Sequence, residues 1–215
     1  MIKLRFLTII ALISVFACLP AGASAQTTWT VPGNFATIQD AIDSATVVNG
    51  DTIQVAAGEY SNPAGTAFGP QNYAMSIQKE LTIQGAGNNS DPAIGTVFAP
   101  FSAGGQATNG AVFMDANNIV FRNIYIDGQK NQDQATGQVV SRGFQAGGSN
   151  LLIENVTVVG TVHSCIELNQ ADNSTLLNVT IDTTVVGYNT GNNARGLRIG
   201  EIVEEFRDFA RHSPG

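Results

Sequence analysis

The feature that most limits what this 215-residue chain can fold into is an internal repeat. Asn118–Asp127 (NIVFRNIYID) aligns with Asn150–Val159 (NLLIENVTVV) and with Asn173–Asp182 (NSTLLNVTID). A shorter run precedes each copy: Val112–Met114, Phe144–Ala146 and Ile166–Leu168, with Leu197–Ile199 opening a further one. The spacing is 32 residues and then 23, the longer period allowing for a loop. No single copy can bury its own apolar face, so copies must stack. Short strands running in one direction and stacked ~4.8 Å apart make parallel sheets wound as a coil. In that register Phe121, Ile153 and Leu176 form one inward column. Ile124, Val156 and Val179 form a second, and Ile126, Val158 and Ile181 a third. Asn123, Asn155 and Asn178 share one position at a bend, where amides that both donate and accept can form a structural ladder along the stack.

The N-terminus has a different character. Lys3 and Arg5 precede an apolar run from Phe6 to Leu19, broken by Pro20 and followed by Ala23-Ser24-Ala25. This is the pattern of a signal peptide covering residues 1–25 and cleaved after Ala25. The apolar run is short of the ~20 residues a spanning helix needs, so no transmembrane segment is expected. A lipoprotein processed at Cys18 is the alternative, although the bulky Phe16 fits a lipobox badly. Export implies a secreted, cell-surface or periplasmic location. Removing residues 1–25 takes away two basic residues and leaves 8 Lys+Arg against 17 Asp+Glu, a net charge of −9. That charge argues against nucleic acid or an anionic membrane as a partner. Cys165 is then the only cysteine, so no internal disulfide can form. His163, in a turn, reads as a surface histidine, and no Cys/His cluster has metal-ligand spacing, so no metal site is expected.

Between Trp29–Phe35, an extended lead, and the strand Asp51–Val55 lies one helix. Thr37 and Asp40 form a capping pair, and Ile38, Ala41, Ile42 and Ala45 share a face. The sequence Val31-Pro32-Gly33-Asn34-Phe35-Ala36-Thr37-Ile38-Gln39-Asp40-Ala41-Ile42 leads to Gly50–Val55, Gly58-Glu59-Tyr60 and Leu81–Gly87. This opening resembles that of pectin lyase-like proteins, the superfamily of pectate lyases, pectinesterases and many surface proteins. The resemblance covers residues 31 to about 199. It implies an all-β fold, a right-handed parallel β-helix (solenoid) spanning 26–200, with an N-terminal capping helix. It implies little about activity, because one scaffold hosts many.

The catalytic signatures of the superfamily mostly fail to match. Gly58-x-Tyr60 resembles the first pectinesterase motif, but Asn62 stands where an acid belongs, and polygalacturonase signatures are missing. A polysaccharide lyase needs a base and carboxylates holding Ca²⁺ against the substrate acid. Asp127, Lys130 and Asp133 in one loop, with Arg142 at the start of a strand, are the candidates, and Ca²⁺ enters only under this reading; no other cofactor is expected. The alternative is a solvated polar loop. For ligand binding, Gln145, Glu167 and Arg198 share one outward column, and Tyr125 heads another with Thr157 and Thr180. A polar face with an aromatic suits oligosaccharide, and equally suits any soluble sheet.

Residues 201–215 break the pattern. Ile202, Val203, Phe206, Phe209 and Ala210 fall at helical spacing among six charged residues between Glu201 and Arg211. The segment reads as a C-terminal helix covering the last coil, or as a truncation product. The function expected is a non-catalytic exported module that contacts polysaccharide or a surface protein. A lyase and an inactive fragment of a longer surface protein remain the rivals.

Overall fold

The computed structural model describes residues 25–62, 72–100, 110–130, 140–182 and 195–199, the last segment mainly through its backbone. Residues 1–24, which hold most of the expected signal peptide and Cys18, lie outside the described residues, as do Asp133 and the 201–215 tail. In chain order the elements are β1 (Thr28–Val31), α1 (Ile38–Asp43), β2 (Thr52–Val55), β3 (Gly58–Tyr60), β4 (Tyr73–Ile77), β5 (Thr82–Gln84) and β6 (Thr96–Phe98). There follow β7 (Gly110–Met114), β8 (Val120–Asp127), β9 (Arg142–Ala146), β10 (Leu152–Val159), β11 (Ser164–Leu168), β12 (Thr175–Asp182) and β13 (Arg195–Ile199).

The strands form two sheets, and their pairings are parallel. The first runs β1-β2-β5-β8-β10-β12, with β3 and β6 joined to it through β8. The second runs β4-β7-β9-β11-β13. From β7 onward the chain alternates between the sheets, and from β8 each strand lies beside the one two earlier. The register follows the repeat alignment: Phe121, Ile153 and Leu176 are opposite one another, as are Ile124, Val156 and Val179.

One backbone feature explains why Phe121 and Ile124, three residues apart, both point inward. Strict alternation would put them on opposite faces. Asn123, Asn155 and Asn178 instead have φ of 59°, 51° and 52°, the left-handed conformation that Asn tolerates better than most residues. Each Asn bends its strand and slips the alternation by one, giving the burial order of β8 and β10. Asn155 Nδ2 donates to Asn123 Oδ1 at 2.8 Å. A second asparagine column, Asn118, Asn150 and Asn173, also adopts positive φ just before the same strands, and Asn150 Nδ2 donates to Asn118 Oδ1 at 3.3 Å. In the earlier copies the strand is split at this bend: β5 pairs with the first half of β8 and β6 with the second.

The core lies between the sheets. Ile53, Ile83, Phe121 and Ile153 stack down one side, and Phe121 meets Phe144 of the second sheet edge-on at 5.2 Å. Burying each such side chain stabilises by about 1.5–3 kcal/mol. At Gly143 there is no room for a side chain, since a Cβ would lie 2.3 Å from the Cys165 carbonyl oxygen and from Val158 Cγ1. Cys165 itself is a buried free thiol.

Two expectations at the N-terminal end change. The extended lead is a strand, β1, paired with β2 from Thr28↔Thr52 to Val31↔Val55. The helix is capped by Thr37, whose Oγ1 accepts from Asp40 N at 3.0 Å, but it stops at Asp43. Ala45 is therefore exposed, and Val47 supplies the buried contact instead. The helix also carries Gln39, whose Nε2 donates to Ser76 O (3.1 Å) and whose Oε1 accepts from Ser76 N (2.9 Å). Its amide thus pairs with the edge strand β4 as a neighbouring peptide would.

Candidate functional site

The second sheet brings together Arg142, Gln145 and Glu167 from the residues singled out in the sequence, with Arg198 in register beside them. Two columns cross it. Tyr73, Gly110, Arg142, Ser164 and Arg195 are in register, as are Ser76, Phe113, Gln145, Glu167 and Arg198. Glu167 is only 4% exposed, so it does not stand on an open solvated face as alternation suggested. The burial is tolerated because the carboxylate is fully engaged. Arg142 Nε donates to Oε2 at 2.6 Å, Ser164 Oγ donates to the same oxygen at 3.3 Å, and Asn169 Nδ2 donates to Oε1 at 3.1 Å. Beside this pair the buried Tyr73 donates to Gln145 Oε1 and stacks on Phe113 at 5.2 Å. Burial pushes the Tyr73 phenol up to about 12; Arg142 pulls against the shift and Glu167 adds to it. Tyr73 is therefore a neutral hydrogen-bond donor throughout the physiological range. His163 is half-buried at the margin of the network, with Nδ1 3.4 Å from Ser164 Oγ. The Arg195 and Arg198 side chains lie outside the described residues.

The loop candidates sit elsewhere. Asp127 ends β8, and its Oδ1 accepts the backbone N–H groups of Gln129 and Lys130, both at 3.0 Å, closing the turn. Lys130 Nζ reaches back to Glu59 Oε2 of β3 at 2.6 Å. That bond is the main cause of a raised lysine pKa, against a smaller opposing effect of burial. Asp127 ends and Lys130 follows a strand of the first sheet, while Arg142 begins one of the second, and Lys130 and Arg142 are held by different carboxylates, Glu59 and Glu167. Tyr125 is on the first sheet, in register with Val97, Thr157 and Thr180, and so apart from Gln145 and Glu167. Its pKa is raised by burial first, and then by the charges of Asp127 and Asp182.

The structure adds a third surface. On the outer face of the first sheet Thr30, Gln54, Gln84, Arg122 and Glu154 occupy consecutive register positions. Gln54 Nε2 donates to Gln84 O at 3.1 Å, and Arg122 donates to Gln84 Oε1 from Nε (3.0 Å) and Nη2 (2.6 Å). Arg122 Nη1 is 3.8 Å from Glu154 Oε2, and both side chains remain about a third exposed. Arg122 and Glu154 hold the same place in the aligned repeat, so those two members of the column were readable. Gln54 and Gln84 were hidden because their copies are split.

A pocket of about 260 Å³ opens near the helix, between Thr37, Gln39, Glu59, Tyr60, Met75 and Phe98 among others. Three of its polar side chains are engaged with the protein: Tyr60 Oη donates to Ala56 O and Val31 O, Gln39 holds Ser76, and Glu59 holds Lys130. Among the described residues no three His, Cys, Asp or Glu side chains cluster as metal ligands, and no helix is long and apolar enough to cross a membrane. No family model, curated protein or solved structure matches the chain.

Proposed function

We propose that this chain is an exported, non-catalytic module built as a right-handed parallel β-helix of the pectin lyase-like kind. It works at the cell surface or outside the cell, where it contacts polysaccharide or a surface protein. Alternation of the chain between two parallel sheets in constant register supports the solenoid. The pairing of Gln39 with β4 supports α1 as its N-terminal cap. The observation that carries the non-catalytic reading is the state of the two candidate bases. Lys130 and Arg142 are each held in a 2.6 Å ion pair, and Lys130 has a raised pKa where proton abstraction requires a lowered one. The partly exposed Gln54–Gln84–Arg122 column, with Tyr125 on the same sheet, is the ligand face of this reading.

Ultraviolet absorbance of unsaturated products from polygalacturonate is the test of catalysis. None is expected with or without Ca²⁺, and Ca²⁺-dependent turnover lost in Lys130→Ala would establish the lyase instead. Retention on insoluble neutral glycans should fall in Gln84→Ala and Arg122→Ala. Equal retention of both variants and the parent would remove the ligand face from the proposal. Intact mass should show an exported chain beginning at Gln26, and lipid on Cys18 would overturn that cleavage site.

A further inference from the structure

The turn that leads from α1 into β2 carries a reactive pair, Asn49-Gly50. Val48 and Asp51 close it, Asp51 N donating to Val48 O at 3.1 Å. Gly50 has φ of 91°, a conformation that residues with a Cβ rarely adopt, although a Cβ built there would meet nothing within 4 Å. The backbone therefore requires glycine here, and space does not. The consequence is chemical, because no side chain shields the Gly50 nitrogen and both residues are exposed. In an unconstrained chain such a nitrogen cyclises onto the asparagine amide before it. The fold opposes that step through one residue of the next coil. Gly50 N–H donates to Glu80 O at 2.6 Å, and Glu80 N–H donates to Asn49 Oδ1 at 3.2 Å. A donor on Oδ1 by itself polarises the amide carbon for attack. The other bond outweighs it, since the nucleophile's proton is committed to Glu80 O while Asn49 is held toward Glu80 N.

We propose that Asn49 is a self-modification site gated by opening of this clamp, and that its isoaspartate product loosens the start of the first sheet. When the turn opens, the Gly50 nitrogen bonds to Asn49 Cγ, the Cγ–Nδ2 bond breaks, and ammonia leaves with the proton that the nitrogen gave up. Water then opens the succinimide at either carbonyl, giving aspartate or isoaspartate. The two products differ in their effect. Aspartate leaves the backbone as it was and keeps an oxygen for Glu80 N–H. Isoaspartate routes the backbone through the former side chain and adds a carbon between Val48 and Asp51. That distance is fixed by Val48 N–H, which donates to Asp51 Oδ2 at 3.0 Å, and the same carboxylate holds Thr27 N and Trp29 Nε1. Lengthening the turn therefore pulls Asp51 from its partners on the first strand.

Ageing the mature chain at mildly alkaline pH, folded and in urea, with peptide mass spectrometry at Asn49, tests the site. Cyclisation proceeds from the open turn, as amide exchange does. Conversion should be about tenfold or more slower in the folded chain than in urea, and the slowing should follow the exchange protection of the Gly50 amide. Equal rates in the two states would refute the clamp, and an Asn49 that stays intact in urea would refute the site. Folded chains that carry isoaspartate should melt at lower urea, read by Trp29 fluorescence, whereas Asn49→Asp should melt with the parent. Asn49→Gln, whose longer side chain cyclises far more slowly, should age without that loss. An equal loss in aged Asn49→Gln and aged parent would overturn the loosening, as would an Asn49→Asp variant that melts as low as the isoaspartate chains.

Discussion

Asp51 offers the sharpest test of how the first strands are held. It is 1% exposed, and its carboxylate accepts three hydrogen bonds: from Thr27 N (2.9 Å), Trp29 Nε1 (2.9 Å) and Val48 N (3.0 Å). These tie β1 and the turn after the helix to the start of β2. Hydrogen bonds to a charged group are worth about 1.5–3 kcal/mol each, but Thr27 is exposed and can turn to water when its partner is lost. Asp51→Ala should therefore cost about 3–5 kcal/mol, a large part of the 5–15 kcal/mol that stabilises a typical domain. Asp51→Asn should cost about 2 kcal/mol, because one amide oxygen can keep Trp29 and Val48 while its NH₂ faces the Thr27 N–H. The pH dependence gives a second handle. Burial alone would raise the Asp51 pKa, but the bonds from Trp29, Val48 and Thr27, together with the charge of Lys79, outweigh it and hold the carboxyl below its ordinary 3.8. The depressed pKa means that Asp51 adds stability above pH 3.8, lost as pH falls toward its folded value. Urea melts followed by the fluorescence of Trp29, the one tryptophan, and by circular dichroism, measure both effects. The acid limb of stability should be shallower in Asp51→Asn than in the parent. A loss in Asp51→Ala below about 0.5 kcal/mol, the range of ordinary surface substitutions, would refute the reasoning.

Val156, fully buried, should not accept a carboxylate: Val156→Asp should unfold the chain in circular dichroism, while Thr157→Asp on the outer face should fold with little change in melting temperature. Gly143→Ala should lower stability in urea melts by about 1–3 kcal/mol or more, because the added methyl meets backbone at 2.3 Å. Asn155→Ala should cost about 1–2 kcal/mol through its left-handed backbone, and Asn155→Gly less, so melts in which Gly is the worse replacement would contradict the bend. Arg142→Ala should cost about 3–5 kcal/mol by stranding Glu167, and Arg142→Met with Glu167→Gln should recover most of it; the same melts decide.

The register from β8 to β12 was legible because those three strands are uninterrupted, so one offset aligns every column. The earlier copies carry the same geometry but are cut at the bend, by Ala56-Ala57 in one and by residues 85–95 in the other, and no fixed period spans the cut. Thr28–Val31 looked merely extended because a four-residue strand has no periodicity to measure until its partner is known. Asp51 was read as the start of a strand, since two of its three partners lie 22 and 24 residues away and leave no local signature. Glu167 shows a different limit. Alternation says which face of a sheet a side chain leaves from, and Glu167 does leave from the outer one, but it is silent on whether that face meets water.

Parallel stacking constrains where charge can sit. Neighbouring members of a column lie about 4.8 Å apart, where like charges repel by about 1–3 kcal/mol at effective dielectric constants between those of water and a protein surface. An amide column escapes the constraint because each member donates to the next, as Asn155 does to Asn123. The charged columns obey it. Arg122 is followed by Glu154, and Glu167 by Arg198. Asp127 and Asp182 share a column but are separated by Val159, and Arg142 and Arg195 are separated by Ser164. A chain with 17 acidic residues against 10 basic ones must therefore place much of its excess off the sheets. Asp40, Asp43, Asp91, Asp115 and Asp172 lie exposed in the helix and the turns. The sheet faces are left nearly neutral, which favours an uncharged ligand over a polyanion on the column running from Thr30 to Glu154.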